Sequence, residues 1–246
     1  MNDLVLKGKT LLVVDDEPDL REIVSSELEY KGANVLQAEN ITAAKAILDF
    51  HKIDLIVSDI RMPGGTGIDL LNYVKSKNID VPPIILTTGF ADFTIETALN
   101  QGAEALLHKP FKLEELIQLA ARLTSPPEKR YIQPYLDPAK NLNFFSSEGL
   151  SLKIKAHECA IGRGGMALTV DSKSFQWNTG DLLNFNLKFK DVEFNGIAIC
   201  RWLKPQDQIN KATLGLEFMQ LSEKTLIFFR QYWQQHSIVS FIPSLD

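Results

Sequence analysis

Few of this chain's 246 residues are cysteine, and no apolar stretch approaches the length of a bilayer crossing. A spanning helix needs roughly 20 consecutive apolar residues. The N-terminus offers only Leu4–Leu6 before Lys7, and the next run, Leu11–Val14, stops at carboxylates, so it reads as a first strand and not as a signal peptide. Cys159 and Cys200 sit in strand-like segments without metal-ligand spacing, which suits buried thiols in a reducing cytoplasm. The four histidines, His51, His108, His157 and His236, are scattered. His157 lies near Cys159, but two such residues do not make a metal site. Dense positive charge is also missing. Residues 1–125 hold 12 Lys and Arg against 19 Asp and Glu, and the remainder holds 14 against 12. Neither half has the basic face that nucleic-acid binding requires. Internal repeats are absent, and the second half shows no catalytic constellation, so an enzyme is not expected.

What is present is enough chain for two ordinary domains. In the first half, short apolar runs alternate with helical patterns. Leu11–Val14, Leu55–Val57, Ile84–Thr87 and Leu106–Leu107 read as parallel strands buried on both faces, with Val35–Ala38 a weaker edge strand. Pro18–Tyr30, Thr42–Phe50, Leu70–Lys77, Ile95–Asn100 and Leu113–Leu123 read as helices. Five strands alternating with five helices predict an α/β doubly wound parallel sheet. Ligands of such sheets collect at the carboxyl ends of the strands.

"SPPEKR", residues 125–130, ends the alternation, because two prolines cannot continue a helix and stiffen a connection. The expected division is a first domain at 1–124, a linker at 125–130 and a second domain at 131–246. That second domain is rich in β patterning. Leu150–Lys155, Met166–Val170, Leu182–Phe189, Val192–Leu203 and Ala212–Phe218 read as strands, with turn signals at Gly180-Asp181, Asn195-Gly196 and Lys204-Pro205. Asn195-Gly196 is a turn or a bulge. Ser222 caps a closing helix with Leu226, Phe229 and Trp233 on one side. A C-terminal antiparallel β-barrel with a covering helix fits this pattern.

Carboxylates converge at the strand ends of the first domain. Asp15 and Asp16 follow the first strand, and Asp59 follows the third, its neighbour in such a sheet. Adjacent like charges cost free energy unless something compensates them. Three carboxylates at one rim make a hard oxygen site suited to Mg²⁺. Thr87-Thr88 ends the fourth strand and Lys109-Pro110 the fifth. A hydroxyl and an ammonium there can hold the oxygens of a phosphoryl group on Asp59, with the aspartate as nucleophile.

The segments "LLVVDDEP", "DLIVSDIRMPGGTGIDLL", "PIILTTG" and "GAEALLHKPF" resemble, in order and spacing, the response-regulator receiver (CheY-like) family over residues 8–124. The resemblance implies Asp59 as the phosphorylation site. It implies direct metal ligation by Asp16, Asp59 and the backbone carbonyl of Arg61, with Asp15 acting indirectly. Thr88 becomes the switch hydroxyl, Thr87 falling one place early, and Lys109 the phosphoryl-contacting lysine, with a cis bond to Pro110. Leu106 stands where the family usually carries an aromatic switch residue. The resemblance also implies a two-component phosphorelay, with a sensor histidine kinase or phosphotransfer protein as donor.

"CAIGRGGMALTV", "GDLLNFNLKF", "GIAICRWL" and "LGLEFMQLSEKTLIFFRQYW" resemble a PilZ domain over roughly 128–240. PilZ domains typically bind cyclic di-GMP through two arginines four apart and an Asp/Asn-x-Ser-x-x-Gly motif. Here Arg130 is followed four residues on by Pro134, and the second motif aligns as Ala160-Ile161-Gly162-Arg163-Gly164-Gly165, keeping only the last glycine. Each missing charge-assisted contact is worth about 1.5–3 kcal/mol. The domain therefore reads as a degenerate, PilZ-like protein-interaction module. The alternative is a dual-input regulator that also binds cyclic di-GMP at a divergent site including Arg130, Arg163 and Gly165. The expected protein is a cytoplasmic response regulator using Mg²⁺, signalling to a downstream protein partner without DNA binding or membrane insertion, and able to form a homodimer.

Overall fold

The computed structural model describes residues 4–77, 81–91, 93–126, 130, 140–146, 159–171, 178–189, 192–206, 211–235 and 238–245. The chain divides into two compact units, Met1–Ala98 with Gly102–Pro126, and Leu99–Gln101 with Pro127–Asp246. The expected strand Leu150–Lys155, His157, His236, the Trp233 side chain and linker residues 127–129 lie outside the described positions.

In the first unit the strands are β1 (Thr10–Val14), β2 (Asn34–Ala38), β3 (Leu55–Asp59), β6 (Ile84–Thr88) and β7 (Ala105–His108), in the order β2-β1-β3-β6-β7. All four pairings are parallel. A small ribbon, β4 (Arg61–Met62) with β5 (Gly65–Thr66), sits between β3 and the next helix. The helices are α1 (Pro18–Tyr30), α2 (Ile41–Phe50), α3 (Gly67–Lys77), α4 (Ile95–Gln101, whose Leu99–Gln101 group with the second unit) and α5 (Leu113–Leu123). Pro18 opens α1, where a missing N–H costs nothing. Asn40 caps α2 by accepting the Ala43 N–H at 2.9 Å.

Alternate residues of each strand feed opposite cores. Leu11, Val13, Leu55, Val57, Ile85 and Leu107 pack with residues of α1 and α5. Leu12, Val14, Ile56, Ile84, Leu86 and Leu106 pack with residues of α2, α3 and α4. Helices on both faces explain why β3 and β6 are buried along their whole length. In the order 2-1-3 the chain turns from one face to the other between β1 and β3, which opens a crevice at their carboxyl ends.

The second unit is a six-stranded sheet in the order β8-β11-β12-β13-β10-β9. Its strands are β8 (Lys140–Ser146), β9 (Cys159–Ile161), β10 (Gly165–Asp171), β11 (Leu182–Phe189), β12 (Val192–Pro205) and β13 (Lys211–Leu221). Four pairings are antiparallel as expected, but β8 runs parallel to β11, which corrects the purely antiparallel expectation. No pairing among the described residues joins β8 to β9, so the described ladder is an open sheet.

Asn195-Gly196 lies inside β12, with a register shift one residue further on, between Ile197 and Ala198. It is therefore part of an irregular strand and not a hairpin turn. β12 runs through Lys204-Pro205, whereas Gly180, at φ +88°, does make a turn. The closing helix α6 (Glu223–Gln235) starts where expected, with the Thr225 N–H donating to Ser222 Oγ at 3.3 Å. It sends Leu226 and Phe229 into an apolar core containing Phe185, Phe194 and Phe218. Cys159 and Cys200 are buried in that core, and burial pushes the Cys159 thiol above its ordinary range.

Candidate functional site

Parallel register places the acidic residues. Val14 of β1 lies opposite Ser58 of β3, so Asp15 and Asp59 emerge side by side at the crevice. Both are nearly buried, at 5% and 6% exposure. Lys109, just past β7, links them. Its Nζ lies 2.7 Å from Asp59 Oδ1, 2.9 Å from Asp15 Oδ2 and 3.3 Å from Glu17 Oε1. The backbone N–H of Lys109 donates to the Thr88 carbonyl at 2.7 Å, and the bond to Pro110 is cis.

Burial pushes the Asp59 carboxyl above its ordinary value and the Asp15 charge adds to this. Hydrogen bonds from Lys109 and from the Arg61 N–H, at 2.7 Å, act against the rise without cancelling it. For Lys109, burial disfavours the ammonium, but its bonds to Asp59 and Asp15 prevail and hold its pKa above the usual lysine value. The lysine therefore stays charged and partly balances two carboxylates that would otherwise repel each other.

Close packing fixes the loop after Asp59. A Cβ at Gly67 would overlap the Asp59 carbonyl oxygen, so only glycine lets α3 begin there. Thr88 is buried, and its Oγ1 accepts the Phe90 N–H at 3.1 Å, while Thr87 is an interior residue of β6 facing Asp59 across the sheet. The expected group of Asp15, Asp59, Thr88 and Lys109 is thus assembled at one rim. Asp16 is exposed beside it. Leu106 is buried in the core next to α4.

Three contributors were not singled out from the sequence. Glu17 reaches Lys109, the Arg21 guanidinium donates to the Asp15 carbonyl at 2.6 Å, and the Arg61 guanidinium stacks 3.8 Å from the Phe90 ring centre. Glu17 extends the visible acidic run, but nothing in the sequence pairs Arg21 with Asp15 or Arg61 with Phe90.

Among the described residues no three His, Cys, Asp or Glu side chains gather in metal-ligating geometry. Mg²⁺ asks for less, taking one or two carboxylates and keeping several waters. Hard oxygens of Asp16, Asp59 and the Arg61 carbonyl fit that demand. Asp15 is already engaged by Lys109 and by the Glu17 N–H at 2.9 Å, which suits an indirect role.

In the second unit, Arg130 is half-buried. Arg163 Nε donates to the Val239 carbonyl at 3.0 Å. A Cβ at Gly165 would overlap the Leu216 carbonyl of β13, so that glycine is required by sheet packing.

The first unit is a doubly wound α/β domain with an acid–lysine pocket at its topological switch point. Residues 11–121 match the response regulator receiver domain. The chain is 41% identical over 113 residues to the phosphate regulon transcriptional regulatory protein PhoB of Pseudomonas aeruginosa, covering 45% of this chain and 49% of PhoB. It is 30% identical over 191 residues to the regulatory protein VanR of Enterococcus faecium, covering 74% of this chain and 78% of VanR. Among solved structures, the Thermotoga maritima response regulator TrrA, in complex with Mg²⁺ and BeF, is 32% identical with a TM-score of 0.43, covering 47% of this chain and 98% of TrrA. The chain spans about half the length of PhoB (49%) and about a quarter of response regulator PilR (26%). The chain belongs to the response-regulator family, with its receiver domain in the first half.

Proposed function

We propose that this protein is a phosphorelay response regulator that accepts a phosphoryl group on Asp59 in the presence of Mg²⁺ and signals through a PilZ-like second domain to a protein partner. The observation that carries the first part is the convergence of Lys109 on Asp59 and Asp15. A carboxylate oxygen of Asp59 attacks the donor phosphorus as the bond to the leaving group breaks. Lys109 Nζ already lies 2.7 Å from Asp59 and can follow the new phosphoryl oxygens, and the Thr88 hydroxyl has a proton to donate to them. Bound Mg²⁺ supplies charge neutralisation at the transferring group. The donor is a sensor histidine kinase or phosphotransfer protein, and the protein itself is not an enzyme acting on an external substrate. Asp16→Ala should weaken Mg²⁺ affinity about tenfold and slow labelling by a small phosphodonor in proportion. Unchanged Mg²⁺ affinity would move the metal site elsewhere.

The PilZ-like reading rests on the glycine turn, the strand sequence and the "GLEF" strand leading into α6. Cyclic di-GMP is not the expected ligand. The replaced motif positions lack the needed polar groups, and the Arg163 side chain is engaged with Val239. In calorimetric titration the full chain should show no dissociation constant below about 10 μM, equivalent to roughly 7 kcal/mol. Tighter binding would favour the dual-input alternative. PhoB is named a transcriptional regulator, but the 14 basic and 12 acidic residues after position 125 argue against DNA as the partner here. No helix among the described residues is long and apolar enough to cross a membrane. We place the protein in the cytoplasm, with homodimerisation open to it.

A further inference from the structure

Asp16 differs from the other aspartates of the rim. It is exposed, whereas Asp15 and Asp59 are nearly buried and held by Lys109. An exposed carboxylate is aimed chiefly by its backbone, and the backbone on both sides of Asp16 is held. Before it, the Arg21 guanidinium donates from Nη1 to the Asp15 carbonyl at 2.6 Å. That carbonyl belongs to the peptide group joining Asp15 to Asp16, so the bond fixes the plane from which Asp16 departs. After it, the N–H of the peptide joining Asp16 to Glu17 donates to Asp15 Oδ1 at 2.9 Å. The Glu17 carbonyl in turn accepts the Arg21 N–H at 3.0 Å, which opens the hydrogen-bond ladder of α1.

Arg21 closes this loop from a rigid base. Further along α1, Val24 and Leu28 are buried in the core that also holds Leu11 and Val13 of β1. The helix that carries the guanidinium is therefore packed against the strand that delivers the acidic pair. Neither bond touches the Asp16 carboxylate itself, which leaves its oxygens to a ligand.

We propose that Arg21 is a positioning residue for Mg²⁺, holding the peptide between Asp15 and Asp16 so that the Asp16 carboxylate is presented to the metal. Its premise is that Asp16 ligates Mg²⁺ directly, as proposed above. Mg²⁺ demands near-ideal octahedral geometry, so a small turn of one ligand costs affinity. Charge alone predicts the opposite sign. A guanidinium beside the site repels a dication, so a neutral residue in its place should tighten binding. The direction of the change decides between the two.

The test titrates MgCl₂ into the full chain and follows the backbone amide shifts of Glu17 and Arg61, which report binding without any phosphoryl transfer. Four proteins are compared: wild type, Arg21→Met, Asp16→Ala and the double variant. Methionine keeps a long side chain and a high helix propensity but has no donor. Arg21→Met should bind Mg²⁺ more weakly by a factor of about five, a smaller loss than that of Asp16→Ala. In the Asp16→Ala background the same substitution should cause no further loss, because the carboxylate it aims is gone. If Asp16→Ala weakens binding while Arg21→Met leaves it unchanged or tighter, the proposal is overturned and the metal site stands. Losses that multiply in the double variant would also overturn it, since Arg21 would then act on the metal by another route. If Asp16→Ala itself leaves the affinity unchanged, the assignment of the metal ligand fails and takes this role of Arg21 with it.

Discussion

An Asp59→Asn chain incubated with acetyl phosphate and Mg²⁺ is expected to take up no acid-stable, base-labile phosphoryl label, whereas the wild type is labelled. The loss should be complete to the detection limit, because the amide offers no anionic oxygen to attack phosphorus and cannot form an acyl phosphate. The fold should survive the change. Burial already disfavours the charged form of Asp59, so an isosteric neutral group removes a desolvation cost. The amide oxygen can still accept the Arg61 N–H, and Lys109 retains Asp15 at 2.9 Å and Glu17 at 3.3 Å. An unchanged melting temperature together with lost labelling separates a chemical role from a structural one. Label retained by a folded Asp59→Asn protein would move the acceptor to another residue.

The largest stability effect is expected at Phe229. This side chain of α6 is 1% exposed and stacks on Phe194 at 5.3 Å and 3°, and on Phe218 at 5.3 Å and 18°. It also meets Phe228 edge-on at 5.7 Å. Truncating a buried phenylalanine to alanine costs about 3–5 kcal/mol, since the cavity left behind collapses only in part. Against a domain stability of about 5–15 kcal/mol, that removes a large share of what holds the sheet to its helix. In Phe229→Ala, hydrogen exchange in β12 and β13 should accelerate by a factor on the order of 100 or more. Protection unchanged from wild type would mean that α6 contributes little to the sheet's stability.

The receiver half was legible because its physics is local. A parallel strand covered on both faces needs an uninterrupted apolar run, and β3, with all five residues buried, shows it as Leu55–Val57. Carboxylates directly after such runs identify the rim. Lys109 could be assigned to that rim, but its three simultaneous ion pairs depend on Asp15 and Glu17, which lie more than 90 positions earlier. Glu104 shows the same limit. It is a buried carboxylate held by Lys75 at 2.9 Å and by the Ile84 N–H at 2.6 Å, and it looks like an ordinary surface residue in sequence. The second half was less legible. β8 was not foreseen as a strand, and among the described residues it is an edge paired with β11 alone. The bonds that Arg163 and Gly164 donate to the carbonyls of Val239, Ser240 and Phe241 were invisible as well, because every residue possesses a main-chain carbonyl.

The parallel pairing of β8 with β11 has a consequence for the order in which the second unit assembles. β11 and β12 are joined by two residues, and β12 and β13 by five, so this meander needs only short loop closures. β8 comes from the other side of residues 147–181, and among the described residues its neighbour is β11 alone. Its loop-closure entropy must be met before any contact repays it, which makes it a late addition to an already formed template. In pulsed hydrogen exchange during refolding, amides of β12 and β13 should gain protection before those of β8. Simultaneous protection would mean that the edge strand helps to nucleate the sheet. With the expected order, the sheet grows outward from its centre, and nascent chains spend their vulnerable interval with the β11 edge still uncapped.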